Sequence, residues 1–159
     1  MKFFIKQKLF FIYKKYIIED ENRKKVYSVK RKLMSLRRKI KLYDRNDREI
    51  VYIKEKMVKV IPKYYIYING NEVATITKNI TLLKSSFVID SLIGKYEVKG
   101  NILDKDFYIE KEGIKIATIR KKLISIRDCY EIDIKDGESQ SLVLASVLVI
   151  DDVLHEKDS

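Results

Sequence analysis

Short runs of alternating apolar and polar residues recur along the chain, each followed by a polar turn and a second alternating run. The clearest copies pair residues 16–20 with 26–32, 40–44 with 50–54, 65–68 with 73–78, and 107–110 with 114–122. A weaker copy covers 87–100, and a half copy begins at Tyr130, so the period is about 20 to 25 residues. Runs of this length, rich in Val, Ile, Tyr and Thr and alternating in period two, are typical of strands with one buried face. The pattern predicts β-hairpins in series.

The residues between paired runs fit hairpin turns. Asn69-Gly70 can supply the positive φ of a tight turn, and residues 44–47 and 110–113 suit slightly longer turns. If 33–36 and 123–126 are strands as well, the chain has about ten to twelve strands. So many antiparallel strands usually close into a barrel or form a sandwich, because open edges invite aggregation.

The segment 139–155 departs from this pattern because it is apolar on every side. Its length favours a helix, which Asp136 could cap, although the β-branched Val143, Val147, Val149 and Ile150 leave helix and strand propensities close. A helix that is apolar all round must be buried on all sides. We therefore expect a helix over 139–154, enclosed by the strands.

Several segments, in this order, resemble the LURP-one-related (LOR) family, including its small bacterial members. They are the opening 6–10, the hairpins that end at 27–29 and 53–56, the step at 98–101 and the closing 149–155. The resemblance spans nearly the whole chain, so residues 1–159 are expected to form one domain.

The resemblance implies an all-β fold with one helix: a closed antiparallel barrel of about twelve strands around a central C-terminal helix, as in the tubby C-terminal domain. It implies little about activity, since the family has no agreed catalytic set. Tubby domains bind phosphoinositides through basic residues on the barrel exterior, but no motif in this chain permits a position-by-position transfer. The tip at 45–48 lacks the glycine of the family pattern, which leaves its turn type open.

The composition argues against the common enzyme classes. One cysteine and one histidine remove disulfide frameworks, zinc fingers and most histidine-based catalysis. No phosphate-binding glycine loop or nucleophile elbow occurs. Lys6 and Lys8 interrupt the apolar start before a signal sequence can form. We therefore expect a non-enzymatic protein without a cofactor, located in the cytoplasm or peripherally at a membrane.

The charges are unevenly distributed along the hairpins. The chain has 34 Lys+Arg against 23 Asp+Glu, with the acids near the turns and the bases at the opposite strand ends. These strand ends predict a basic barrel rim that binds anionic lipid headgroups. Nucleic acid is a less favoured ligand, and a protein partner stays unidentified. A genome rich in A and T would also enrich lysine, so codon bias is an alternative source of the basic excess. The predicted ligand-binding residues are Lys30, Arg31, Lys32, Arg37, Arg38, Lys39, Arg120, Lys121 and Lys122.

Reversal of Lys30, Arg31 and Lys32 to glutamate is expected to weaken binding at little cost in stability, because exposed charges contribute little to folding.

Three other groups of residues could carry chemistry. Asp151, Asp152 and His155 could bind a metal, but we expect them to form the solvated last turn of the helix. Cys129 is expected to be a packing thiol. Tyrosines next to lysines, such as Tyr64, Tyr65 and Tyr67 with Lys63, could stack on bases but more often pack against neighbouring strands.

Overall fold

Twelve antiparallel strands and one helix are present in the part of the chain that the computed structural model describes, residues 1–9, 13–32, 37–58, 61–80, 85–122 and 129–155. The strands are β1 (Lys2–Leu9), β2 (Tyr13–Asp20), β3 (Lys25–Lys32), β4 (Lys39–Tyr43), β5 (Glu49–Val58), β6 (Ile61–Ile68), β7 (Asn71–Ile80), β8 (Ser85–Ser91), β9 (Gly94–Asn101), β10 (Asp106–Lys111), β11 (Ile114–Lys122) and β12 (Cys129–Ile134). The helix α1 follows at Gln140–His155. This confirms the fold class expected from the sequence.

The barrel closes because each strand pairs with its neighbour in sequence and β1 pairs with β12, where Ile5 lies opposite Tyr130. Each of the twelve described strands therefore has a partner strand on both sides, so the sheet has no edge strand of the kind that antiparallel sheets must otherwise protect. The hairpin turns after β2, β4, β6, β8 and β10 lie at one end of the barrel, called here the turn end. The helix enters from the turn end and finishes at the opposite end, called here the mouth end.

The sequence repeat is also a repeat of turn geometry. In the turn after β2, Asp20 Oδ1 accepts hydrogen bonds from the backbone N–H groups of Asn22 (2.9 Å) and Lys24 (3.0 Å). In the turn after β4, Asp44 Oδ1 accepts the equivalent bonds from Asn46 (2.8 Å) and Arg48 (3.0 Å). Aspartate stabilises such turns by hydrogen bonding to the backbone that follows it.

Both of these turns need a residue with positive φ, and neither uses glycine there. Arg23 has φ 61° and Asp47 has φ 57°. The turn geometry at 44–48, which the sequence left open, is thus set by the carboxylate of Asp44. A register shift precedes both turns, next to Ile18 in β2 and next to Leu42 in β4.

The helix fills the barrel. Leu144, Ala145, Val149 and Ile150 are fully buried at its centre and pack against the inward residues of the strands. The buried hydroxyl of Ser146 donates to the carbonyl of Leu142 at 2.8 Å, which satisfies it inside an apolar core. The prediction of an enclosed helix is confirmed. Its N-cap is Ser139, whose Oγ accepts from the N–H of Leu142 at 3.4 Å, and not Asp136.

None of the helices in the described part of the chain is long and apolar enough to cross a bilayer.

Candidate functional site

Strand alternation separates the basic clusters at the mouth end into two sets. On β3, the alternation places Val29 and Arg31 on the inner side of the barrel and Lys30 and Lys32 on the outer side. On β4, Ile40 and Leu42 face inward, and Lys39 and Lys41 face outward. The inner and outer sets therefore make different contacts.

The inner set begins with Asp152, whose carboxylate is 1% exposed at the mouth end of the helix. It forms ion pairs with Arg31 and with Arg38, whose Nη1 lies 3.2 Å from Asp152 Oδ2. Arg38 also donates to the hydroxyl of Tyr64 at 3.2 Å, and its backbone N–H donates to Glu55 at 3.1 Å. A guanidinium suits this position because its fixed array of donors can serve several acceptors at once.

Asp151 is buried beside it and has its own partners. It accepts a hydrogen bond from Tyr16 at 3.2 Å and a short one from Tyr130, and the ammonium of Lys105 lies 3.6 Å away. Burial and the negative charge of Asp151 raise the pKa of Tyr16 well above its usual range, so this hydroxyl stays a donor. Two carboxylates at the negative end of a helix dipole require such compensation.

These residues form one buried polar group, called here the mouth cluster. It contains three carboxylates and three cations, together with the tyrosines that bond to them. The members are Glu55, Asp151, Asp152, Arg31, Arg38, Lys105, Tyr16, Tyr64 and Tyr130.

The mouth cluster corrects two sequence predictions. Asp151 and Asp152 are not a solvated last turn, since they are 4% and 1% exposed. Arg31 and Arg38 do not lie on the outer surface with the neighbouring lysines, because the carboxylate of Asp152 holds them at the mouth of the barrel. Reversing Arg31 would therefore cost stability, contrary to the expectation for an exposed charge. Within the described residues, no group of three or more His, Cys, Asp or Glu side chains could hold a metal ion.

The outer set forms a continuous surface on β2 to β6, called here the lysine–tyrosine face. Its members are Lys15, Lys30, Lys32, Lys39, Lys41, Tyr43, Tyr52, Lys54, Lys56, Lys63, Tyr65 and Tyr67. Only Lys41 among these lysines forms an ion pair with a described carboxylate, Glu49 at 2.8 Å.

The lysines lie directly opposite one another on neighbouring strands. Lys30 is opposite both Lys15 and Lys41. The same strand pairing puts Lys39 opposite Lys54, and Lys56 opposite Lys63. Like charges in directly opposite positions destabilise a sheet. The sequence predicts the basic clusters but not these cross-strand rows, because the rows depend on the register of neighbouring strands.

Tyrosines hold several of these lysines in place. Lys56 Nζ lies 4.3 Å from the centre of the Tyr65 ring, and Lys30 Nζ lies 5.2 Å from that of Tyr43. Tyr52 and Tyr67 pack across β5 and β6 with ring centres 5.9 Å apart. A cation over an aromatic face is attracted to it by about 0.5–1 kcal/mol at an exposed site. The rings therefore pack against lysines and against one another.

The tyrosines proposed as a stacking platform do not share one surface. Tyr64 is 1% exposed inside the barrel, where it contacts Arg38, whereas Tyr65 and Tyr67 are half-buried on the outer side.

The other predicted ligand-binding residues lie elsewhere. Arg37 is exposed just before β4. Arg120 and Lys122 face outward on β11, and Lys121 is half-buried on the opposite side of that strand. The ammonium of Lys122 lies 3.3 Å from Glu131 on β12. β12, β1 and β2 lie between β11 and β3, so Arg120 and Lys122 are on a different part of the barrel wall from Lys30 and Lys32.

Cys129 is buried at the start of β12, and burial raises the pKa of its thiol. A thiol with a raised pKa is a poor nucleophile at neutral pH. The side chain of His155 lies outside the described residues.

Comparison with known proteins gives the family and the fold. The family model described as LURP-one-related matches residues 1–151. The uncharacterized protein YxjI of Bacillus subtilis (strain 168) is 28% identical over 159 residues, which cover 99% of this chain and 96% of YxjI. The X-ray structure of a protein from Arabidopsis thaliana superposes with a TM-score of 0.69 at 16% identity, covering 96% of this chain and 91% of that chain. At this identity the likeness shows the fold alone.

Proposed function

The chain belongs to the LURP-one-related family, and we propose that it is a binding protein that associates with anionic lipid headgroups at a membrane surface through the lysine–tyrosine face. In this proposal the protein acts by binding and not by catalysis. The face carries the proposal, and the mouth cluster supports it from inside by fixing the strands that display the lysines.

The observation that carries the proposal is the set of opposed lysines on β2 to β6. The rows Lys15–Lys30–Lys41 and Lys39–Lys54 bring like charges together in register, which works against folding. An anionic partner offsets this repulsion, because its negative charges attract the lysines. Each basic residue near an anionic membrane surface contributes about 1 kcal/mol of binding.

The different positions of the arginines and the lysines support the same ligand. Arg31 and Arg38 are used inside the barrel, where their forked donors bind Asp152 and its neighbours. The outer face carries lysines, which act as point charges towards phosphate and carboxylate groups. A layer of mobile headgroups needs charge density and no fixed bidentate geometry.

Nucleic acid is the rival ligand, since a basic surface attracts any phosphate backbone. Two features favour lipid. Base stacking needs aromatic rings that are open to the ligand, whereas Tyr65 lies under Lys56, and Tyr52 packs against Tyr67. In addition, the strands that carry these rings also carry the opposed lysines, so the surface attracts a ligand through its positive charge more than through base stacking.

Vesicle sedimentation tests the ligand class. The protein is mixed with vesicles of phosphatidylcholine alone and with vesicles that also contain phosphatidylserine. We expect binding to the anionic vesicles only, and a loss of binding as salt rises above about 0.15 M, where the screening length falls to about 8 Å. Single- and double-stranded DNA and RNA at the same salt form the second arm. Tight nucleic-acid binding without vesicle binding would overturn the lipid proposal in favour of its rival.

A further inference from the structure

One row of opposed residues begins on the lysine–tyrosine face and changes character along its length. From β2 to β7, each member lies opposite the next: Lys15, Lys30, Lys41, Tyr52, Tyr67 and Glu72. A register irregularity next to Ile66 in β6 brings Glu72 opposite Tyr67. Three bases are therefore followed by two aromatic rings and one acid.

A pocket of about 330 Å³ lies at the aromatic part of this row. It is lined by Glu49, Ile50, Tyr52, Tyr67 and Gly70. The two rings are tilted by 34° with their centres 5.9 Å apart, so neither ring covers the other as it would in a parallel stack. An aromatic face beside a carboxylate attracts a cationic group. The pocket therefore suits the positively charged part of a ligand.

Two carboxylates flank the rings. Glu49 Oε2 lies 2.8 Å from the ammonium of Lys41, which is itself 5.6 Å from the centre of the Tyr52 ring. Glu72 accepts a hydrogen bond from the hydroxyl of Tyr67 at 3.1 Å. No lysine or arginine within the described ranges forms an ion pair with Glu72. One carboxylate beside the pocket is therefore available to a cation from outside the protein.

The order of charges fits a ligand that carries a phosphate next to a primary ammonium. The phosphate is attracted by Lys30 and Lys41, which repel each other when no anion is bound. The ammonium can then contact the rings and donate a hydrogen bond to Glu72. Because an ammonium needs less open ring surface than a nucleobase, the packing of the two tyrosines against each other does not prevent this contact.

We propose that this pocket binds the ammonium of an anionic lipid headgroup, so that the protein prefers phosphatidylserine to anionic lipids without an ammonium. The inference rests on the proposed function, since it supposes that the lysine–tyrosine face lies on a bilayer. It adds selectivity among lipids of equal charge. Phosphatidylcholine serves as the background lipid, because its methylated nitrogen has no N–H to donate to a carboxylate.

Sedimentation with two kinds of anionic vesicle tests this preference. The full-length protein is mixed with phosphatidylcholine vesicles that contain the same fraction of either phosphatidylserine or phosphatidylglycerol. Both lipids carry a single net negative charge, so a surface that responds to charge alone binds the two vesicles equally. We expect about fivefold tighter binding to the phosphatidylserine vesicles, from an ammonium over an aromatic ring and its ion pair with a carboxylate. Equal binding to both vesicles would overturn the preference and leave the proposed function standing.

Two double variants locate the preference. Glu49→Gln/Glu72→Gln removes both carboxylates at the pocket and should bring the ratio of the two affinities close to unity. Its matched control is Glu97→Gln/Glu110→Gln, on β9 and β10 outside the face, where the two carboxylates share Lys99. The control should keep the ratio of the parent. Since both variants lose the same charge and the two lipids are equally charged, net charge alone does not change the ratio.

The single variant Glu72→Gln, at an exposed position, should lower the ratio as well. Melting curves establish that each variant is folded. An unchanged ratio in both double variants, or an equal loss of preference in both, would overturn the assignment to this pocket. No sedimentation of the parent protein with either vesicle would overturn both proposals.

Discussion

Arg38 Nη1 lies 3.2 Å from Asp152 Oδ2 and so connects the start of β4 to the last turns of the central helix. The same guanidinium reaches the hydroxyl of Tyr64 and the main-chain carbonyl of Asp152. Together with Arg31, it fixes the mouth end of the helix to β3, β4 and β6. Arg31 and Arg38 therefore stabilise the barrel, whereas Lys30, Lys32 and Lys39 face the solvent.

The first prediction separates these two roles on adjacent residues. Arg31→Glu places a carboxylate beside the buried Asp152 and should lower the free energy of unfolding by about 3–5 kcal/mol. Lys30→Glu makes the same charge change on the outer side, where it replaces repulsion from Lys15 and Lys41 by attraction, and should not lower the free energy of unfolding. Urea denaturation of the two variants measures the difference. Equal stabilities would contradict the inward placement of Arg31.

The second prediction concerns Tyr16, whose raised pKa makes the native state resist its ionisation. Tyr16→Phe removes a hydrogen bond to a charged acceptor and should cost about 1.5–3 kcal/mol at pH 7. The parent keeps this stabilisation below the unfolded-state pKa of about 10 and loses it as the pH rises further, because only the unfolded chain ionises readily.

The Tyr16→Phe variant has no ionisable group at this position, so it does not lose stability there as the pH rises. The stability difference between parent and Tyr16→Phe should therefore narrow by about 1 kcal/mol from pH 10 to pH 11. Denaturation curves at pH 7, 10 and 11 test this, and a constant difference would show that Tyr16 is not held as a neutral donor to Asp151.

The third prediction tests the enclosed helix. Ala145 is fully buried at its centre, so Ala145→Asp leaves a charge without a partner and should cost several kcal/mol of a total stability of about 5–15 kcal/mol. Ala145→Ser is the control, since its hydroxyl can bond to a carbonyl one turn earlier, as Ser146 does to Leu142. If the aspartate variant melts at the temperature of the parent, the helix is not buried.

The fourth prediction concerns Cys129. Because burial covers this thiol and raises its pKa, iodoacetamide at pH 8 should modify it slowly in the native protein and fully in denaturant. Mass spectrometry follows the reaction. Fast native alkylation would point to an accessible thiolate and would reopen the question of a reactive cysteine.

The sequence allowed prediction of the hairpins, the enclosed helix and the family, because each depends on a local pattern. The alternation of inward and outward residues also indicates that Arg31 faces inward, because it is two residues from the apolar Val29. Arg38 is two residues from the apolar Ile40 and is placed inward in the same way. Treating each basic triplet as one exposed cluster obscured that signal. Period two splits the triplet 30–32, so its middle residue and its ends have different surroundings.

Other features depend on the closed barrel and could not be derived from single segments. Asp152 meets Arg31 only because the helix ends beside β3, more than a hundred residues away in sequence. The opposed lysines require the register of neighbouring strands, which is shifted by irregularities such as the one at Leu42. The geometry of the turn at 44–48 is set by hydrogen bonds to the carboxylate of Asp44. No glycine marks this turn in the sequence, so the sequence does not indicate its type.

Two triple variants with the same net charge test whether the lysine–tyrosine face binds the anionic membrane surface. Lys32→Glu/Lys39→Glu/Lys54→Glu reverses three lysines of the lysine–tyrosine face. The control Lys24→Glu/Lys25→Glu/Lys95→Glu reverses three lysines near the turn end. Both variants should keep most of the parent's stability, because the lysines concerned are at the protein surface.

Sedimentation with vesicles that contain phosphatidylserine measures the affinity of each variant at one salt concentration. We predict that the face variant binds about 100-fold more weakly than the parent, at about 1 kcal/mol for each lysine, and that the control variant loses far less affinity. Equal losses in the two variants would show that net charge alone governs binding, and would contradict a dedicated lysine–tyrosine face.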